Sequence, residues 1–129
     1  MKIFFAGGLI LLLGASGNAF ADCSQNSKVT GATLTNLITG RTICATQGTE
    51  KWQEQHRSGG QLWDYKKGPS DSVDPTAQVG NWSIAANTLT HSYGSSSYSY
   101  SVHAVNGNSY TLCPANLAVT IQDSPSCGF

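Results

Sequence analysis

Glu54, His56 and His91 are the ionisable residues that strand alternation sets among large aromatic side chains. In WQEQHRSGGQLWDY, residues 52–65, alternate positions carry Trp52, Glu54 and His56, and Trp63 and Tyr65 follow a Ser-Gly-Gly turn. A carboxylate beside an imidazole fixes its tautomer and moves its pKa, which suits proton transfer or the capture of a ligand in a cleft. The same grouping also describes polar side chains that only hydrogen-bond tyrosine hydroxyls near the open end of a small barrel. Zinc would need Glu54, His56 and His91 within a few ångströms of one another, and nothing in their spacing requires that. Nucleophilic catalysis has less to draw on, because the many serines include no G-x-S-x-G elbow and the cysteines are even in number. The expectation is a non-enzymatic protein with no catalytic residue, no metal and no cofactor.

Which side chains point inward depends on strand register. A two-residue turn at Gly59-Gly60 pairs His56 with Trp63, Glu54 with Tyr65 and Trp52 with Lys67, gathering the aromatics on one face. The other face then holds Gln53, Gln55, Arg57, Asp64 and Lys66, with Leu62 its one large apolar residue. A three-residue loop beginning at Ser58 instead sets Trp52, Glu54 and His56 opposite Leu62, Asp64 and Lys66. That register is less favoured because it leaves Trp63 and Tyr65 on a polar face. In HSYGSSSYSYSVH, a loop from Gly94 to Ser97 faces Tyr93 with Tyr98, His91 with Tyr100 and Leu89 with Val102. Thr90, Ser92, Ser99, Ser101 and His103 line the opposite side. A loop at Val105-Asn106-Gly107 keeps Tyr110 and Leu112 inward, and Trp82 and Ile84 join the same interior. The expected ligand contacts are Trp52, Glu54, His56, Trp63, Tyr65, His91, Tyr93 and Tyr100.

The elements that must position these residues are mostly strands. In TGATLTNLITG, residues 30–40, Leu34, Leu37 and Ile38 fall at i, i+3 and i+4 before a glycine suited to end a helix, so one short amphipathic helix is expected. After Gly40, strands are expected at Thr42 to Gln47, Glu50 to Arg57, Gln61 to Lys67, Val79 to Ala85, Thr88 to Tyr93, Ser97 to Ala104, Ser109 to Cys113 and Leu117 to Gln122. Their short connections make them antiparallel neighbours, and about eight such strands can curl until the last meets the first. The fold class is therefore mainly β, a small antiparallel meander barrel with one short N-terminal helix. The longest connection, Lys67 to Pro75, carries two prolines and no large aromatic, and belongs on the surface.

The first residues, MKIFFAGGLILLLGASGNAFADC, have the charged start, short apolar run and small residues of a secretory signal peptide, with cleavage expected after Ala21. Lipidation at Cys23 is the rival, opposed by Asp22 where a small residue is needed. The mature domain would run from Asp22 to Phe129, 108 residues with six basic and seven acidic side chains. No basic stripe invites nucleic acid, and no amphipathic basic segment invites a membrane after cleavage. Cys23, Cys44, Cys113 and Cys127 all lie in that mature part, and four cysteines in an exported chain argue for two disulfides. Cys23 with Cys44 and Cys113 with Cys127 is the favoured pairing, since each brackets a short segment. Cys44 with Cys113, and the two ends together, is the main rival.

On the outer face, Thr88, Thr90, Ser92, Ser97, Ser99 and Ser101 form a nearly uncharged hydroxyl ladder. It suits a solvated surface, and otherwise a platform for a glycan or a partner strand. Asn81-Trp82-Ser83 fits a glycosylation sequon, but its tryptophan belongs to the core.

The series L-I-T-G-R-T-I-C at Leu37 to Cys44, W-D-Y-K-K-G at Trp63 to Gly68, V-D-P at Val73 to Pro75 and V-G-N-W-S-I at Val79 to Ile84 resembles small exported proteins of Gram-negative bacteria. The resemblance implies a short helix ahead of a lipocalin-like β-barrel in the periplasm or outside the cell, and no particular activity. Gly80-x-Trp82 is also similar to the G-x-W of lipocalins, here in a middle strand. Periplasmic lysozyme inhibitors are similar in size, cysteine use and barrel type, but Ser58-Gly59-Gly60 leads to Trp63 and Tyr65 with a spacing that departs from their inhibitory Ser-Gly-x-x-Tyr loop. Two functions follow as expectations. The first is binding of a small molecule, short glycan or peptide in the aromatic interior. The second is binding of an envelope protein, as a lysozyme-type inhibitor does, through the tip Arg57 to Gln61 or the loop Lys67 to Pro75.

Overall fold

The structure, a computed structural model, describes residues 23–48, 50–67, 77–123 and 127, with all their side chains except those at 47, 50 and 65–67. The expected signal peptide and the connection after Lys67 lie outside these residues. Eight antiparallel strands run in chain order: β1 (Thr42–Gln47), β2 (Glu50–Arg57), β3 (Gln61–Lys67), β4 (Ala77–Ala85), β5 (Thr88–Tyr93), β6 (Ser96–Asn106), β7 (Ser109–Cys113) and β8 (Leu117–Gln122). β8 returns to pair with β1 at Ile43↔Ile121, closing the barrel and leaving no edge strand exposed. Among the described residues no helix is long and apolar enough to cross a membrane.

One end of the barrel is covered by α1 (Gly31–Ile38). Leu34 and Ile38, one turn apart, are fully buried against Ile43, Leu89, Val102 and Ile121, while Leu37 packs at the margin. Its first turn is capped from elsewhere in the chain. Asn87, in the β4–β5 turn, accepts the Gly31 N–H through Oδ1 at 2.8 Å. Ala86 and Asn87 both have positive φ (51° and 63°), as a two-residue turn between twisted strands requires. Gly80 serves β4 differently: a Cβ there would stand 2.0 Å from the Ser92 carbonyl oxygen, so glycine lets β4 and β5 approach closely.

The β2–β3 hairpin corrects the favoured register. Its loop is Ser58-Gly59-Gly60, and the ladder pairs Arg57 with Gln61, His56 with Leu62, Gln55 with Trp63 and Gln53 with Tyr65. Leu62 is therefore inside and fully buried, and Trp63 lies on the outer face. Two local features support this register. Gly59 and Gly60 take positive φ (92° and 84°), and the Gly60 carbonyl accepts the Trp82 N–H, so the tip is bound to β4. Outside, the Arg57 guanidinium covers Trp63 at 3.8 Å from the ring centre, giving the indole partial shelter without a place in the core.

The other two hairpins keep their expected faces but slide along the strand. β5–β6 turns at Gly94-Ser95 and pairs His91 with Tyr98 and Leu89 with Tyr100. β6–β7 turns at Gly107-Asn108, with an irregularity at Val105, and pairs Val102 with Leu112 and Ala104 with Tyr110. Each is displaced by two residues from the expected pairing, and an even displacement leaves every side chain on its own face.

Both expected disulfide pairings are also corrected. Cys23 joins Cys113 and Cys44 joins Cys127, across sequence separations of 90 and 83 residues. Short sequence brackets did not decide the matter, because closure sets β1, β8 and β7 side by side, and Cys23 and Cys127 meet that wall at Cys113 in β7 and Cys44 in β1. The N-terminal segment is also held by a bridge between Lys28 and His103 and by Val29 N–H to Val102 carbonyl at 2.8 Å. His103 faces outward as expected, yet this segment buries it. Its Nδ1 lies 3.0 Å from Ser27 Oγ and its Nε2 2.8 Å from Ser101 Oγ. Beside it, Thr90 bonds Ser99 at 2.9 Å and Ser97 donates to Ser92 at 3.2 Å, as an outer hydroxyl ladder should.

Candidate functional site

Within the barrel, away from α1, lies a cavity of about 220 Å³. Trp52 and Glu54 reach it from β2, His91 and Tyr93 from β5, and Tyr98 and Tyr100 from β6. Ile43, Ala45, Leu112 and Leu117 complete the wall. Tyr98 is 52% exposed and marks where the cavity meets solvent. The volume is below the roughly 300–1,000 Å³ of drug-sized pockets.

A chain of polar groups leads from this cavity to the helix-covered end. Beyond Thr42↔Gln55, the end pair of β1 and β2, Arg41 stands opposite His56. Its carbonyl accepts both the His56 backbone N–H at 2.9 Å and His56 Nδ1–H at 3.2 Å. A carbonyl only accepts, so the proton on neutral His56 is on Nδ1 and Nε2 is an acceptor. His91 Nε2, 2.8 Å away, must then donate, which leaves His91 Nδ1 as an acceptor. That nitrogen faces Tyr93 Oη at 3.4 Å and Glu54 Oε1 at 3.7 Å. The Tyr93 hydroxyl proton is directed to Glu54 Oε2 at 2.5 Å.

Burial controls the protonation of this chain. Both imidazoles are almost fully enclosed, at 1% and 2% exposure. Desolvation brings His56 down to about 3, helped by the neighbouring His91 and opposed by backbone hydrogen bonds, and brings His91 down to about 4. Burial raises the Glu54 carboxyl above its ordinary range, with the Tyr93 hydrogen bond acting against it. Tyr93 and Tyr100 are raised too, first by burial and then by the Glu54 charge. At neutral pH both histidines are uncharged, and Glu54 has no cationic partner among the described residues. His91 stacks edge-on to Tyr100 at 5.6 Å, and His56 to Trp82 at 5.7 Å, so neighbouring rings fix both imidazoles.

Of the eight residues expected to contact a ligand, Trp52, Glu54, His91, Tyr93 and Tyr100 line the cavity. His56 lies beneath His91 as its support. Trp63 is on the outer face, as the corrected register requires, and the side chain of Tyr65 lies outside the described residues. Tyr98, expected inward but not as a contact, is at the cavity's mouth. The Arg41 carbonyl was not foreseen; only the turn at Gly40 just ahead of β1 hinted that the chain passes close to His56. Among the described residues no group of three or more His, Cys, Asp or Glu side chains could hold a metal ion.

These features define a closed antiparallel β-barrel with a small aromatic cavity and a neutral histidine pair beneath it. Searches against protein-family models, curated proteins and solved structures found no match.

Proposed function

We propose that this is an exported, non-enzymatic binding protein of the periplasm or the extracellular space that holds a small molecule in its barrel. The observation that carries this reading is the 220 Å³ cavity, walled by Trp52, Tyr93, Tyr98 and Tyr100 and floored by Glu54 and His91. Aromatic side chains present large, stiff apolar surfaces with polar tips, which suits them to line a pocket. The two imidazoles that would serve as bases are turned on each other at Nε2, which favours binding over acid–base catalysis. The two disulfides fit an oxidising compartment, and the resemblance to exported Gram-negative proteins with lipocalin-like barrels agrees with it. A fragment screen followed by NMR is the test. Binders should shift the Trp52 indole and the Tyr100 ring, and Trp52→Ala should weaken them about tenfold, the cost of one well-packed aromatic contact. A broad panel that moves neither resonance would remove this function.

A second reading rests on the outer face of β2 and β3. Arg57 lies over Trp63 and bonds Gln55 Oε1 at 3.2 and 3.1 Å, presenting two of the residue types that dominate protein interfaces. This surface suits an envelope-protein partner, as an enzyme inhibitor would have. A partner recovered from envelope extract should be lost on Trp63→Ala and kept on Trp52→Ala. The reverse pattern would set this reading aside. The alternative partner loop after Lys67 lies outside the described residues.

A further inference from the structure

We infer that the cavity's occupant is a small primary ammonium compound, bound with its N–H groups toward Glu54 and His91 and its carbon chain between Trp52, Tyr98 and Tyr100. This rests on the cavity reading and specifies its ligand class. The first support is a count of hydrogen-bonding roles. His91 Nδ1 is fixed as an acceptor by the chain that begins at the Arg41 carbonyl, and it stands 3.7 Å from Glu54 Oε1, another acceptor. Among the described residues, the one donor aimed at this pair is the Tyr93 hydroxyl, and its single proton goes to Glu54 Oε2. With Glu54 ionised, two acceptors at the cavity floor therefore face each other, and the Tyr93 proton does not lie between them. A ligand that supplies several donors satisfies both, and a protonated primary amine carries three.

The second support is charge. A buried carboxylate without a cation is costly, and its raised pKa expresses that cost. Asp64 stands directly across the ladder from Glu54 and adds negative field at Tyr93. Neither histidine neutralises Glu54, because both are held uncharged. The third support is the wall itself. Indole and phenol faces attract cations, and four such side chains surround the floor. A carboxylate ligand would meet acceptors and negative charge, and a neutral hydrocarbon would leave the floor unsatisfied. A quaternary ammonium would gain the aromatic contacts but bring no N–H donors, so the primary amine is the better fit.

Calorimetric titration of the oxidised mature protein with n-butylammonium, tetramethylammonium, 1-pentanol and butyrate decides the matter. The expected order is n-butylammonium at least tenfold tighter than tetramethylammonium and 1-pentanol, with no detectable binding of butyrate. Glu54→Gln should reduce n-butylammonium affinity at least tenfold and leave 1-pentanol unchanged. If the variant does not fold, the four wild-type titrations still decide. Equal binding of 1-pentanol and n-butylammonium overturns the ammonium class and leaves the cavity reading in place. Equal binding of tetramethylammonium overturns the donor argument. If no probe binds while other fragments shift Trp52, the ammonium inference alone fails; if no fragment binds either, the cavity reading fails with it.

Discussion

Reduction of both disulfides is expected to lower the melting temperature by at least about 15 °C. Cys23–Cys113 and Cys44–Cys127 close long loops, with separations of 90 and 83 residues. In the chain-entropy description a loop of that length restricts the unfolded state by about 4–5 kcal/mol, and losing a native disulfide from a small secreted domain costs about 2–5 kcal/mol. The two loops overlap for most of their length, so the second removes less freedom than the first. Even about 2 kcal/mol for each is a large part of the roughly 5–15 kcal/mol that holds such a domain folded, and a shift of 4–8 °C per kcal/mol gives the expected drop. Both staples fasten terminal segments to the outer wall of the barrel. The paired variants Cys23→Ala/Cys113→Ala and Cys44→Ala/Cys127→Ala should each lose part of the effect. Superimposable scanning-calorimetry traces with and without reductant would contradict this account.

Acid should weaken the protein well above the pH at which carboxylates normally protonate. His56 and His91 have folded pKa values of about 3 and 4, below the value near 6.5 of an unfolded histidine. Their stabilising contribution is complete above pH 6.5. Below it the unfolded chain binds more protons, and stability falls by about 1 kcal/mol per pH unit for each ring until the folded values are reached. Glu54 works in the opposite sense. Its raised pKa lets the folded chain take up a proton first, so it recovers stability as the pH falls through that value. Two histidines against one glutamate leave a net loss between pH 7 and 4.5, smaller than the roughly 4 kcal/mol that the two rings alone would cost. Urea unfolding at the two pH values measures it, and by NMR neither ring should titrate between pH 8 and 5. His56→Asn with His91→Gln, which keeps amide hydrogen bonds without the basic rings, should flatten the profile. Unchanged stability at pH 4.5, or two rings titrating near 6.5, would refute the buried neutral pair.

Much of the barrel was legible because alternation and turn residues are local signals. Every expected strand is present, β4 starting earlier at Ala77 and β6 extending from Ser96 to Asn106, and Leu34, Leu37 and Ile38 marked the helix correctly. Faces survived in β5 to β7 because displacement by two residues does not change them. The β2–β3 hairpin failed for a different reason. Apolar area alone placed Trp63 and Tyr65 inside, whereas Leu62 fills the position facing His56 and the Arg57 guanidinium shelters Trp63 outside. A one-residue change in loop length decides between those outcomes, and two consecutive glycines permit either. Disulfide pairing was not legible, because it depends on which strands closure brings together. The histidine pair was legible in part: both rings were expected inward, but their bond across the barrel depends on the relative height of β2 and β5. The N-terminal segment over His103 left no periodic signal at all.

The polar floor begins at a backbone carbonyl, that of Arg41 just ahead of β1. Arg41 accepts both protons that His56 offers, so the orientation of the first ring is set by the ladder of β1 and β2. His91 takes its orientation from His56, and the rings of Tyr93 and Tyr100 lie edge-on to His91. On the proposed function, an arriving molecule would therefore meet groups already held in place and lose little affinity to arranging them. Such a cavity would discriminate by refusing what does not fit, and association would be governed by passage past Tyr98 at the mouth rather than by rearrangement within.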